Sequence, residues 1–244
     1  MKGLLLALAM VLTLGAMLAQ GGSADVLLAE FATSLEGRMA SQRYNAELAL
    51  ERLRGVVIHP GETFSFNRVV GSFSRDAGYR KAPVSYNGQL VSSWGGGVCQ
   101  SSTTLYNAAL YAGLEVVERN RHRFAPSYIP PGRDAAVAYE SIDLKLRNPH
   151  SFPVRIEGHA DERRLILRFL ARESTSERPK VVQDVQHVLQ PQVFEMRTGP
   201  GGKSRIRNSG KAGYEVATYR VTGERRELLS IDSYPPMHRI VEYR

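Results

Sequence analysis

Residues 95–113 read GGGVCQSSTTLYNAALYAG: three glycines, then the only cysteine of the chain, then a helical pattern. Leu105, Ala108, Ala109 and Ala112 recur at i, i+3, i+4 and i+7, the spacing of one helix face. Gly113 marks the stop, because glycine takes the left-handed turn that ends a helix without steric cost. A helix opening near Ser101 puts Cys99 at or just before its first turn. First-turn N–H groups lack intrahelical partners and carry partial positive charge. A thiol there ionises below its free value of about 8.5. Gly95, Gly96 and Gly97 permit a sharp entry and the close approach of another backbone, such as a peptide substrate. The N–H groups of Cys99 and Gln100 are then placed as an oxyanion hole.

A nucleophilic thiolate needs a base. Of the six histidines, His122 is the best placed. It follows the helix by one predicted strand, 114–118, in the polar loop NRHRF. The order of a thiol on a helix and a histidine on later strands matches papain-like cysteine hydrolases. A third group must orient the imidazole. Asp143, in the predicted strand SIDLKL, is the first choice; Asp134, in the turn PPGRDA, is the second. Each has a plainer reading. Cys99 can be a small buried residue, His122 a surface histidine, Asp134 turn chemistry and Asp143 a solvated position opposite Ile142, Leu144 and Leu146.

Around this centre the pattern is α+β. SQRYNAELALERLR, 41–54, spaces Ala46, Ala49, Leu50 and Leu53 as a helix, with Ser41 as its N-cap and Gly55 as its end. Residues 56–58 read as a strand, Pro60-Gly61 as a turn, and Phe64 and Phe66 as alternate positions of a half-buried strand. Asn87-Gly88 is a hairpin signal. Residues 119–135 are a loop; 136–147, 152–158 and 164–172 alternate as strands. The predicted body, 25–173, packs the cysteine-bearing helix on an antiparallel sheet. Residues 174–211 read as a linker with one or two strands near 181–196. Residues 212–244 read as a β-hairpin extension turning near Gly223.

Residues 1–24 pair Lys2 with an apolar run and small residues, the pattern of a secretory signal or an N-terminal anchor. The run is shorter than the ~20 residues of a spanning helix. This places the body outside the cytoplasmic membrane. The net charge of +8 favours anionic wall polymers or a membrane surface. No interleaved basic and aromatic stripe points to nucleic acid. GGGVCQSS lacks the Gly-Lys-Ser/Thr ending of a phosphate loop, and no HExxH or paired CxxC occurs, so neither cofactor nor metal is expected. Glu62 and Asp76 make only a weak carboxylate pair.

Four segments carry a family resemblance: HPGETFSFNRVVG (59–71), GYRKAPVSYNGQLV (78–91), GGGVCQSSTTLYNAALYAGLEVVERNRH (95–122) and FAPSYIPPGRDAAVAYESIDLKLRNPHSFPVRI (124–156). The sequence resembles the VanW family of bacterial envelope proteins over roughly residues 28–170. The resemblance marks Glu62, Asn67, Cys99, Gln100, Ser102, Asn107, His122, Asp134, Asp143 and Asn148 as recurrent polar positions. It assigns no role to His59. It implies a cell-envelope location and a link to peptidoglycan or glycopeptide stress, without supplying a reaction. Together these readings predict a cysteine hydrolase or acyltransferase acting on peptidoglycan-type peptide bonds. Gln100 or Asn107 is expected to add a side-chain donor; the glycines, Ser102, Asn107, Glu62 and Asn67 are expected at the binding surface. The alternatives are a non-catalytic wall-binding module and an assembly factor that uses the C-terminal extension.

Overall fold

The computed structural model describes residues 25–86, 89–175, 177–199 and 202–244. The expected leader (1–24) and the Asn87-Gly88 turn lie outside the described residues. A strand Val26–Ser34 (β1) precedes the helix Ala40–Leu53 (α1). Short strands Val57–Ile58 (β2) and Thr63–Ser65 (β3) lead to the helix Phe66–Val70 (α2). Strands Lys81–Tyr86 (β4) and Gln89–Trp94 (β5) lead to the helix Val98–Tyr111 (α3). Strands Glu115–Glu118 (β6), Lys145–Arg147 (β7), Val154–Ala160 (β8) and Arg164–Ala171 (β9) complete the first part. The C-terminal part is all strand: Lys180–Leu189 (β10), Val193–Arg197 (β11), Ser204–Lys211 (β12), Gly213–Thr222 (β13), Arg225–Tyr234 (β14) and Met237–Tyr243 (β15).

The main layer is a four-stranded antiparallel sheet in the order β1-β9-β8-β2. β8 and β9 alternate because one face meets the helices: Val154, Ile156, Leu165, Leu167 and Phe169 are buried. α3 packs against β1, β9 and α1. It is enclosed on nearly all sides, which its run of Ser, Thr and Ala allows; small side chains let neighbouring backbone come close. α3 ends in a Schellman motif: Leu114 N–H reaches Ala109 O (3.0 Å), Gly113 N–H reaches Leu110 O (3.3 Å), and Gly113 has φ 79°. Smaller sheets β3-β7-β6 and β4-β5 flank this core. The fold is mixed α+β with antiparallel pairing dominant, as the sequence predicts.

Several expectations shift. Ser41 lies inside α1; Met39 is the N-cap, and its N–H is held by the Gln42 side chain (3.1 Å). Phe66 opens α2 rather than extending β3, because Ser65 caps that turn through Arg68 N (3.1 Å). Of residues 136–147 only 145–147 form a named strand; the rest is loop tied by isolated bridges Asn120–Ala136 and Ala138–Ile142. β1 has no counterpart in the sequence reading. Among the described residues of 174–211, β10 and β11 lie where one or two strands are expected, near 181–196, and β12 is a further strand.

The C-terminal strands form the sheets β10-β13-β14 and β11-β15-β12, with the turn of the β13–β14 hairpin at Gly223. They dock on the first part. Val216 and Tyr234 bury against Ala125. Arg220 Nη1 donates to Leu114 O (2.5 Å), and Thr218 Oγ1 donates to Gly132 O (3.3 Å).

Candidate active site

Gly97 is the N-cap of α3, so Val98 opens the helix and Cys99 lies within its first turn. The glycines serve this entry in a way the sequence reading did not foresee. A Cβ on Gly97 would stand 2.2 Å from Gln42 O; one on Gly96 would stand 2.8 Å from both Ala82 O and Pro83 O; one on Gly95 would stand 2.6 Å from Phe73 Cβ. The close approach is therefore made by the chain's own segments. All three glycines nonetheless line the cleft that holds Cys99.

The His122 loop folds back over this turn. His122 Nδ1 and Asp134 Oδ2 are 2.6 Å apart, and His122 N–H donates to the same oxygen (2.7 Å). The ring's remaining nitrogen, Nε2, is free for Cys99, on which His122 acts both as hydrogen-bond partner and as charge. Cys99 is half-buried, His122 is 25% exposed, and both line one cleft of about 340 Å³. In its neutral form the thiol donates to Val137 O (3.3 Å).

Asp134 is fully buried and surrounded by donors. Besides His122 it accepts from Arg119 Nη2 (3.0 Å) and from the Tyr234 hydroxyl (2.5 Å). Arg119 also donates from Nε to Asp134 O (2.6 Å) and from Nη1 to both oxygens of Asp232 (2.6 and 2.7 Å). Tyr234 OH in turn accepts from Gly132 N–H (3.1 Å). Two residues of β14 thus brace the carboxylate that faces His122.

These contacts fix the charges. Burial pushes the Asp134 carboxyl up, but the His122 hydrogen bond and the His122 and Arg119 charges outweigh it and bring it down to about 2. Burial pulls the His122 imidazolium down, and the hydrogen bonds to Asp134 and Cys99 override it and raise it to about 10. Burial raises the Cys99 thiol, and the His122 hydrogen bond and charge reverse that to a net lowering. The pair therefore favours thiolate and imidazolium, titrating as a unit.

The same geometry places the other expected residues. Asp143 does not orient His122. Its carboxylate is spent on structure, accepting from Ser65 Oγ (2.6 Å), Asn67 N–H (2.9 Å) and Leu144 N–H (2.8 Å). The Gln100 backbone N–H is taken by Gly97 O (2.9 Å), and its amide donates to Thr33 Oγ1 (3.0 Å) and Ser34 O (2.7 Å), so neither is an oxyanion donor. The Cys99 N–H has no backbone acceptor among the described residues. Ser102 and Asn107 face the protein interior. Ser102 Oγ donates to Ala135 O (2.7 Å) and Asn107 Nδ2 to Arg133 O (2.8 Å), which pins the loop carrying Asp134 to α3. Glu62 is exposed and accepts from His59 N–H (2.9 Å). Asn67 donates to Ala138 O (3.2 Å) and Ile142 O (3.0 Å) in a separate hollow. Asn148 ties a turn through Ile58 O and Phe152 O (both 2.9 Å).

Sequence reasoning missed Gln42, Arg38, Tyr128 and Lys211, which line the cleft, and the Arg119–Asp232–Tyr234 brace. Arg119 directly precedes the NRHRF segment and Tyr234 lies in SYPP, but no local pattern joins them across more than a hundred residues.

Residues 41–170 match the family model described as VanW like protein. The chain belongs to the VanW-like family. That segment contains Cys99, His122 and Asp134, whereas the brace from β14 lies beyond it. The uncharacterized protein YoaR of Bacillus subtilis is 39% identical over 131 residues, 54% of this chain and 43% of YoaR. The vancomycin B-type resistance protein VanW of Enterococcus faecalis is 34% identical over 128 residues, 50% of this chain and 46% of that protein. This VanW-like chain therefore spans about half the length of the curated relatives it matches. A solved structure described as HP0197-G5 aligns with 28% of the chain and 96% of its own length, at 22% identity and a TM-score of 0.17, too low to assign a fold.

Proposed function

We propose that this VanW-like protein is a cysteine-dependent amide hydrolase or acyltransferase of the cell envelope. The supporting observation is the line Cys99–His122–Asp134, which meets one cleft. The Cys99 thiolate attacks the amide carbonyl carbon. A C–S bond forms as the C–N bond breaks, and His122 gives its proton to the departing amine. Water, or the amine of a second substrate, then attacks the thioester: a C–O or C–N bond forms, the C–S bond breaks to return the Cys99 thiolate, and His122 takes the attacker's proton. Asp134 holds the imidazole and stabilises its charge. The oxyanion is met by the Cys99 N–H and by Gln42 Nε2, one of whose hydrogens is taken by Pro83 O (2.9 Å). The order Gln42, Cys99, His122, Asp134 agrees with a papain-like arrangement.

Peptide bonds of cell-wall polymers are the substrate class we favour. The leader-like N-terminus, the basic charge and kinship with a vancomycin-resistance protein support it. The test compares wild type and Cys99→Ala on purified sacculi and on short wall peptides, with mass spectrometry for an acyl thioester on Cys99. Release of fragments by wild type alone is expected. Equal release by both removes the catalytic reading and favours a non-catalytic wall-binding module.

A further inference from the structure

The cleft around Cys99 is unevenly charged. Arg38, Arg123 and Lys211 line it, and among the described residues no Asp or Glu does. Lys211, at the end of β12, is half-buried and its ammonium donates to the Ala125 carbonyl. One main-chain acceptor leaves two ammonium hydrogens for something else. Burial pushes its pKa down, and no carboxylate among the described residues forms an ion pair with it to offset that loss. The Arg38 guanidinium lies 4.6 Å from the centre of the Tyr128 ring. The Tyr128 hydroxyl donates to Cys99 O (3.2 Å), so Arg38 stands one ring away from the nucleophile's own backbone. Arg38 too is shifted down by burial.

Cations that serve the fold are treated differently. Arg119 has Asp134 and Asp232, Arg220 has Glu227, and Arg133 has the amide oxygen of Asn107. A partly desolvated cation without an anion is costly and is stabilised when an anionic ligand arrives. The apolar surface of Phe124, Pro126 and Met237 beside it would cover the non-polar part of such a ligand.

We infer that the cleft selects an amide substrate bearing a carboxylate, which Lys211 and Arg38 hold while the scissile carbonyl meets Cys99. This rests on the reading of Cys99 as the nucleophile. Lys211 lies outside the segment shared with the family, so the C-terminal strands would set substrate choice.

Two thiol reagents of similar size separate the claims: iodoacetate, which is anionic, and iodoacetamide, which is neutral. Each is reacted with the full chain, with Lys211→Gln and with Arg38→Gln, and with free cysteine as reference. Wild type should favour iodoacetate over iodoacetamide by about tenfold or more relative to free cysteine, as expected for one charge-assisted contact. Each variant should lose most of that preference, read as the ratio of its own two rates so that any change common to both reagents cancels. A wild-type ratio equal to that of free cysteine, or one untouched in both variants, overturns the carboxylate site. A second arm does not need a reactive thiol: Cys99→Ala is titrated by calorimetry with N-acetylalanine and with its neutral amide. Preference for the acid, lost on adding Lys211→Gln, supports the site even if neither reagent labels Cys99, in which case only the nucleophile reading fails. Equal binding, or no binding of either compound, overturns the site.

Discussion

The hydroxyl of Tyr234 donates to the Asp134 carboxylate at 2.5 Å, joining the last hairpin to the group that orients His122. Tyr234 is fully buried, and burial beside Asp134 raises its pKa, so it stays a neutral donor. Tyr234→Phe keeps the ring and deletes the bond, leaving the Gly132 N–H without its partner. The variant should lose about 1–3 kcal/mol of stability, the cost of leaving buried polar groups unpaired. Urea unfolding followed by circular dichroism measures this; an unchanged midpoint would mean that the C-terminal strands merely rest on the site.

Asp134 and Asp143 should separate cleanly. Asp134→Asn removes the charge that holds the imidazolium and should slow Cys99 acylation by up to about 10⁴, the loss for the orienting aspartate of a serine–histidine–aspartate triad. Asp143→Asn should leave acylation near wild type and cost about 1–3 kcal/mol of stability, since it caps α2 and the start of β7. Single-turnover kinetics and unfolding curves on both variants check the pair. The opposite pattern would restore Asp143 as the orienting residue.

Stability should depend on pH in a defined way. Asp134, lowered from 3.8 to about 2, contributes stability that is present above its ordinary value and is lost as pH falls through 2. His122, raised from 6.5 to about 10, contributes stability that is complete below 6.5 and is lost as pH rises through 10. In Cys99→Ala one support of the imidazolium is gone, so the alkaline loss should begin at lower pH while the acid limb stays. Thermal unfolding across pH, with an NMR titration of the His122 ring, reads both. A His122 ring that titrates at the same pH in wild type and Cys99→Ala would deny the thiolate–imidazolium pair.

Gly97→Ala should be disruptive for two reasons. The residue has φ 112°, which alanine adopts only with strain, and the new Cβ would meet Gln42 O at 2.2 Å. A loss of about 1–3 kcal/mol from the backbone strain alone is expected. A melting temperature equal to wild type would contradict the packing of α1 against the start of α3.

Local pattern made the two long helices, α1 and α3, and the Cys99 turn legible. Alternating or i, i+4 spacing and a terminal glycine report directly on one face and one end of an element, as at Leu105, Ala108, Ala109, Ala112 and Gly113. The choice between Asp134 and Asp143 was not legible, because it depends on which carboxylate the loop 130–137 turns inward. That loop is fixed by buried hydroxyls and an amide on α3, at Ser102, Thr103 and Asn107. The family resemblance marks Ser102 and Asn107, yet nothing in the spacing says that they support the site instead of lining it. The roles of Arg119, Asp232, Tyr234 and Lys211 are longer in range still. They follow from how the C-terminal strands dock, and a polar stretch such as 174–211 reads as a linker until its strands find partners.

The rate of Cys99 alkylation by iodoacetamide in the native chain, measured from pH 4 to 10, bears most directly on the whole account. A thiolate paired with His122 should give rapid labelling already near pH 6, with an apparent pKa well below that of free cysteine, and Asp134→Asn should move the curve toward the free-thiol value. Labelling that follows the free-thiol curve, or that appears only after denaturation, would contradict it.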